Sequence, residues 1–400
     1  MKKTAFILPL ERKWLGGQNY LFNLVSAYLE ICGAADPPPV IISDKNPLPE
    51  IFRELEITHQ IETLTVPDLV RIKHPRNTLW VLTAGRNKSL HSTLLANGIT
   101  RVFSPTLFLG RLPDIEILTW LPDFQHRDLP EFFSMSQRIL RELSYRLCLR
   151  QSDRAMVSSR AAANAIEKMS SRYAQIPLAI VPFTPSLTPV SNAAVRNTLR
   201  RYDVKEGFLY LPNQFWAHKN HTVVLDALRS LHVEGWQGQV VMTGTAFDHR
   251  RNGVFKELQS QITSLSTAGV AKFLGEVPRP DMIALMQSCK AVINPSLYEG
   301  WSSTVEEALC LGSPLILSNI AIHNEQAGTS ARYFDPHDQN ELAHLIRSAE
   351  PVTTRTALSP EAQIRKARFQ DALRPVFNLN RPPYPSQNRK GKVRREINAS

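Results

Sequence analysis

Only four cysteines occur in 400 residues, Cys32, Cys148, Cys289 and Cys310, and none has a Cys-x-x-Cys or other metal-ligand spacing. Scattered through apolar segments, they read as buried free thiols in a reducing cytoplasm rather than as a disulfide framework. Nowhere does a run approach the roughly 18 uninterrupted apolar residues of a membrane span. The opening MKKTAFILPLERKW also lacks a cleavage signature. Its short apolar stretch carries a proline and runs straight into Glu11, Arg12 and Lys13, so it reads as a first β-strand. Acid is in deficit: 36 Asp and Glu face 47 Lys and Arg, a net charge of +11. Such a balance favours anionic partners, whether nucleic acid, anionic lipid or a phosphorylated substrate. Specific nucleic-acid binding finds no support, because no reading module or aromatic–basic interleaving is present. Part of the excess lies in NRKGKVRRE, residues 388–396, after the Pro-rich RPPYP. That tail reads as solvated and disordered, with peripheral attraction to the inner membrane face as the alternative.

Four hundred residues suit two domains. Short apolar runs alternate with helix-like segments: TAFILPL (4–10), PVIIS (39–43), TLWVLT (78–83), TRVFS (100–104), EILTWL (116–121), RAMVSS (154–159) and LAIVPF (178–183). A long helix is expected over about 133–150. The segment 184–206, TPSLTPVSNAAVRNTLRRYDVKE, starts with prolines and little apolar content and reads as a linker. The rhythm then restarts with GFLYLPN, QVVMTG, AKFLG, AVINPS, PLILS and ARYFD, with helices between them and near 338–348 and 359–370. Two such runs predict two doubly wound α/β domains with parallel sheets, over 1–183 and 207–375, followed by the tail 376–400. The final helix is free to pack back on the first domain. Ligands of that architecture bind where strands end in loops, here also in the cleft between the domains.

One stretch concentrates chemistry at such a strand end: LYEGWSSTVEEALCLGSP, residues 297–314. Ser303-Thr304-Val305-Glu306 fits a capping box, with Ser303 as N-cap and Glu306 reaching back to its amide. Capping explains neither Glu307, turned onto another side of the helix, nor Glu299 on the loop before it. Gly300 permits close backbone approach. The amides of Trp301, Ser302, Ser303 and Thr304 would form a positive helix N-terminus suited to phosphate. A phosphate seat flanked by two carboxylates for hydroxyl groups matches the layout of a nucleotide-diphosphate sugar.

The run EGWSSTVEE followed by ALCLGSPLI resembles the E-x7-E element of retaining glycosyltransferases, most closely family 4 of the GT-B fold. That resemblance implies two Rossmann-like domains facing a cleft, with Glu299 contacting donor-sugar hydroxyls and Glu307 the ribose. In LPNQFWAHKNH (211–221) it assigns Lys219 to the leaving diphosphate. Many members carry an arginine six positions earlier, where this chain has Asn213, and Arg250 or Arg251 would replace that charge. FLGEVPRPDM (273–282) is similar to the turn that contacts the nucleotide base, pointing to Gly275 and Val277. Gly16 and Gly17, between the first strand and its helix, would face the donor across the cleft. The loop WLPDFQHRDLPEFF (120–133) resembles the segment whose histidine borders the sugar site, which makes His126 a candidate catalytic residue. No cofactor is implied beyond the nucleotide sugar as co-substrate. No metal is expected either, since the Asp-x-Asp pair of the other large glycosyltransferase fold is missing from the sequence. The acceptor is a glycan, a lipid-linked saccharide or a small molecule. Competing readings are a nucleotide-sugar epimerase or phosphorylase on the same fold, a non-catalytic nucleotide-sugar binder and, least favoured, a hydrolase using Glu299 and Glu307.

Overall fold

Among the described residues every strand pairs parallel to its neighbours, in two sheets with no strand pairing between them. The computed structural model describes residues 2–379 except 9–14, 34–35, 44–47, 49, 60, 67–80, 82, 84, 171–172 and 247–252. The first sheet contains β1 (Thr4–Ile7), β2 (Val40–Ser43), β3 (Glu62–Thr65), β4 (Arg101–Pro105), β5 (Glu116–Trp120), β6 (Arg154–Val157) and β7 (Leu178–Ile180), in the order β3-β2-β1-β4-β5-β6-β7. The second contains β8 (Leu209–Leu211), β9 (Val240–Met242), β10 (Ala271–Phe273), β11 (Val292–Asn294), β12 (Leu315–Ser318) and β13 (Ala331–Phe334), in the order β10-β9-β8-β11-β12-β13. Both orders reverse direction beside the first strand of the sheet. That reversal opens a crevice at the carboxyl ends of the strands.

The apolar β-branched strands are buried on both faces, as parallel strands covered by helices must be. Phe6, Ile41, Phe103 and Leu118 pack under the first helix, α1 (Leu15–Ile31), while Ala5, Ile7, Val40 and Val102 face the opposite layer. In the second half, Leu209, Val240 and Ile293 serve one layer, and Tyr210, Val241 and Val292 the other. The expected long helix is present as α2 (Met135–Gln151). A capping box fixes its start, with Ser134 accepting from the Gln137 amide and the Gln137 side chain accepting from the Ser134 amide.

Several expectations change. The strand expected over 78–83 lies almost wholly outside the described residues, and Val81 and Thr83, which are described, are helical. The edge strand β3 and the short helix Ala321–Ala327 are additions. The linker region contains α3 (Asn192–Arg201), whose start Ser191 caps and whose Thr198 bonds Asp281 at 2.9 Å. Gly16 and Gly17 do not form a turn between strand and helix, because they lie in the first turn of α1 itself.

The final helix, here α4 (Pro360–Val376), crosses back to the first sheet. Its Phe369, Leu373 and Val376, with Phe377 and Leu379 beyond it, join the core under α1. Residues 376–379 are therefore packed rather than part of a solvated tail, while 380–400 lie outside the described residues. Arg101 donates to the Phe377 carbonyl at 2.7 Å and Arg154 to the Pro375 carbonyl at 2.8 Å, tying the chain end to β4 and β6.

Candidate active site

β11 ends at Asn294, and the chain then runs through the loop 295–302 into α5 (Ser303–Leu311). Polar bonds hold this loop rigid. Asn294 accepts from Asn213 (3.0 Å) and from the Ser296 hydroxyl (2.7 Å), and donates to Ser302 Oγ (2.9 Å). Ser302, not Ser303, is the N-cap: its oxygen accepts from the Val305 amide at 3.4 Å. The capping-box spacing points to Ser303, three residues before Glu306, whereas the observed cap is its neighbour, whose hydroxyl also accepts from Asn294. The Ser302 amide already donates to Gln326 Oε1 at 3.1 Å. The phosphate seat expected over 301–304 thereby narrows to the opening turn that begins at Ser303 and Thr304.

The three glutamates part company. Glu299 Oε1 accepts from Lys219 Nζ and from Ser296 Oγ, each at 2.6 Å. Burial opposes its ionisation, but Lys219, the field of His323 and the Ser296 hydroxyl hold its carboxyl below the usual range. Glu307 faces a different recess and accepts from Arg279 at 2.9 Å; burial pushes its carboxyl up and Arg279 offsets this only in part. Glu306 is no cap. It is 1% exposed and accepts from Arg365 of α4 at 2.9 and 3.1 Å and from Gln326 at 3.1 Å. Burial outweighs Arg365 and raises its carboxyl to about 7.

Lys219 closes a single 3-10 turn, and Asn220 follows in a left-handed conformation (φ 52°) held by bonds to the Pro295 and Pro336 carbonyls. This kink aims the lysine at the β11 loop. Across the cleft stand Gly16 and Gly17 at the α1 N-terminus, Trp120 at the end of β5, and Asp123 and Gln125 in the following loop. Lys219, Glu299, Gly300, Trp301 and Ser303 face them. Two helix N-termini thus border one recess, which the half-buried Lys219 and the buried Glu299 also line as an ion pair.

The halves touch closely here. A Cβ on Gly300 would lie 2.3 Å from the Pro122 carbonyl oxygen, so the close approach that Gly300 permits is to the opposite domain. Trp301 Nε1 donates to the Phe183 carbonyl at 3.0 Å, and the Phe124 amide donates to the Tyr298 hydroxyl at 2.8 Å. The adjoining recess, lined by Asn19, Phe183, Arg279, Ser303 and Glu307, meets the first at Ser303 and Phe183.

Other expected residues are placed differently. His126 is 2% exposed, packs against Phe124 and Tyr145, and sets Nε2 3.4 Å from Glu142. Burial lowers its basicity, and its neighbours Asp123 and Gln125 line the cleft in its place. Asn213 is buried in the strand-end network, with its side chain turned to Asn294 rather than to the cleft. Gly275 adopts φ 69° and its carbonyl accepts from Gly244 at 2.9 Å; Val277 follows, half-buried, two residues before Arg279. Arg250 and Arg251 lie outside the described residues. Sequence reasoning missed Arg279, although it closes the very turn singled out for base contact. It also missed Arg141 of α2, which binds Asp123, 18 residues earlier in the chain, at 2.8 Å.

Residues 196–363 match the family described as glycosyl transferases group 1. Over 102 residues the chain is 28% identical to the O-antigen chain mannosyltransferase B of Escherichia coli, covering 25% of this chain and 27% of that one. Over 170 residues it is 22% identical to the O-antigen chain mannosyltransferase RfbU of Salmonella typhimurium, 42% of this chain and 45% of that one. The chain therefore spans less than half the length of these curated relatives. Among solved structures, Anabaena Alr3699/HepE in complex with UDP-glucose superposes with a TM-score of 0.68 at 16% identity, over 94% of this chain and 100% of that one. Sucrose-phosphate synthase from Thermosynechococcus elongatus gives 0.66 at 16% identity, over 95% and 100%. Residues 196–363 are thus similar to the glycosyl transferases group 1 family, in a chain with the two-domain GT-B fold.

Proposed function

We propose that the protein is a retaining, metal-independent glycosyltransferase that moves a hexosyl group from a nucleotide-diphosphate sugar to an acceptor hydroxyl. The observation that carries this reading is the Lys219–Glu299 pair, 2.6 Å apart, its glutamate buried and its lysine half-buried, in a recess bordered by two helix N-termini. In the transfer, the bond from the anomeric carbon to the diphosphate oxygen breaks and a bond to the acceptor oxygen forms on the same face. The acceptor proton passes to the departing diphosphate. Lys219 and the opening turn of α5 supply the positive charge that this leaving group requires, a role metal ions fill elsewhere. Glu299, kept ionised by Lys219, accepts hydrogen bonds from the sugar hydroxyls. Glu307 does the same for the ribose once Arg279 yields. The names of the mannosyltransferase relatives and of the neighbour bound to UDP-glucose support a hexosyl donor.

A binder without turnover is the second reading, favoured by Asn213, which is committed to Asn294 instead of offering charge to the cleft. The experiment offers the full chain UDP- and GDP-hexoses with and without saccharide acceptors and measures released nucleoside diphosphate. Acceptor-dependent release is expected, with Lys219→Ala lowering kcat about 100- to 1,000-fold, the scale of losing one charge-stabilising donor. Equal rates in Lys219→Ala, Glu299→Gln and the parent would overturn the assignment. Donor binding with no release in any combination would select the binder.

A further inference from the structure

Exposed large apolar side chains are sparse on this protein, and four of them crowd one helix. On α2, Met135 is 65% exposed, Ile139 60%, Leu140 65% and Leu143 49%. At about 100° per residue, Met135, Ile139, Leu143, Arg146 and Arg150 fall within about 80° of one another around the axis. One face therefore runs from an apolar strip at the helix start to arginines at its end. The opposite face carries Tyr145 and Cys148, buried in one layer with Ala155 and Val157 of β6.

The charge of α2 itself is one-sided. The only acid within α2 is Glu142, and it is neutralised by Arg127 at 2.6 Å and by Arg146 at 2.8 Å. Beyond Arg150 an open groove is lined by Lys2, Arg111, Arg150 and Arg154 and by three acids. Of these, Glu116 is bound by Lys2, Arg101 and Arg154, Asp153 accepts from the Ile117 amide, and Asp114 leaves the cations in the majority. Among the described residues, neither Arg111 nor Arg150 enters an ion pair.

We propose that the outer face of α2 docks the protein on an anionic phospholipid surface. Met135, Ile139, Leu140 and Leu143 enter the acyl boundary, while Arg150, Arg111 and the groove behind them meet the headgroups. An apolar strip bordered by cations is what a helix lying in the membrane interface presents. Each basic residue near an anionic leaflet adds to the attraction. A protein partner of this patch would need acidic groups distributed around an apolar ridge; a bilayer supplies both over any length. Among the described residues no helix is long and apolar enough to cross a membrane, so this contact is peripheral. The inner side of the same helix holds the cleft wall, through Arg141 on Asp123 and Glu142 on Arg127. Docking would therefore set the Asp123 wall of the cleft next to the lipid surface.

The test is co-sedimentation of the full chain with vesicles of phosphatidylglycerol and phosphatidylcholine, against phosphatidylcholine alone, at fixed salt. The parent protein is expected to partition at least tenfold more onto the anionic vesicles. Ile139→Glu with Leu143→Glu should lose at least tenfold of that binding with unchanged Tm, because both side chains face solvent. Removal of residues 386–400 should cost less than the helix variant. Leu140→Trp should report burial by a blue-shifted emission that brominated lipid quenches. Parent-like binding by the double helix variant overturns the proposal, as does complete loss on removing 386–400 alone. A parent dimer that the double variant dissociates overturns it too, since a second copy would then cover the face.

Discussion

Replacing Glu306 with alanine separates a stabilising role from a capping one. Glu306 and Arg365 form a buried pair, 1% and 8% exposed, joined by bonds of 2.9 and 3.1 Å between α5 and α4. Breaking a buried pair by removing one partner costs about 3–5 kcal/mol, because the surviving charge stays desolvated. Arg365 would retain Glu361 at 2.7 Å and the Gln326 carbonyl at 2.6 Å, which puts the expected loss near the lower end, about 3 kcal/mol. At about 2–4 °C per kcal/mol for domains of this size, Tm should fall by about 6–12 °C. A lost cap would cost about 1 kcal/mol. The assay is thermal and urea unfolding at pH 8, where both partners are charged, with donor turnover measured on the folded fraction. Turnover should be preserved, since Glu306 points away from the cleft. The double variant Glu306→Leu with Arg365→Met should be more stable than Glu306→Ala, because it buries no lone charge. A Tm fall under 3 °C, or strictly additive effects of the two single changes, would refute the reasoning.

The same carboxyl gives a pH dependence. Because burial raises it to about 7, the folded protein holds a proton that the unfolded chain releases near pH 4.5. Stability from this group is complete below about pH 4.5 and is lost as pH rises to about 7. Tm measured from pH 4.5 to 8 should decline less steeply in Glu306→Gln than in the parent, and parallel curves would count against it. Gly300→Ala places a Cβ 2.3 Å from the Pro122 carbonyl oxygen and must push the halves apart. At least a tenfold loss of turnover with an increased radius of gyration in solution is expected, and parent-like values of both would show that the approach is not required. His126→Gln should lower Tm yet leave kcat within about threefold, because its ring is enclosed by Phe124, Tyr145 and Glu142; a hundredfold fall in kcat with Tm unchanged would put the histidine back among the catalytic residues.

Strands were legible wherever they are central. Ile41, Phe103 and Ile293 sit in apolar β-branched runs because parallel strands are covered twice. β3 was not, since Glu62-Thr63-Leu64-Thr65 lies at the sheet edge with most of its side chains outside the core and shows no such run. The resemblance assigned Glu299 and Lys219 to one site, but their ion pair across 80 positions emerged only from the structure, because spacing within a motif carries no information about distant loops. Glu306 was misjudged for the same reason: its partner is 59 residues further along the chain. His126 sat one position from residues that do line the cleft, and a turn of helix at Gln125–Asp128 decides which side chains point there.

The return of α4 to the first sheet has a consequence for synthesis. The ring of Phe377 lies 5.7 Å from that of Phe6, so the first strand and the residues just beyond α4 share one core. In the order of translation, the second domain is an insertion between two parts of the first. Its strands can pair as soon as residue 334 has emerged, whereas the layer under α1 must wait for residues 369–379. Until then Tyr28, whose ring lies 4.9 Å from that of Phe377, faces an unfilled surface. The domain made first is therefore the one completed last, and a nascent chain released before residue 369 would expose apolar surface at its N-terminal half while its C-terminal sheet stood finished.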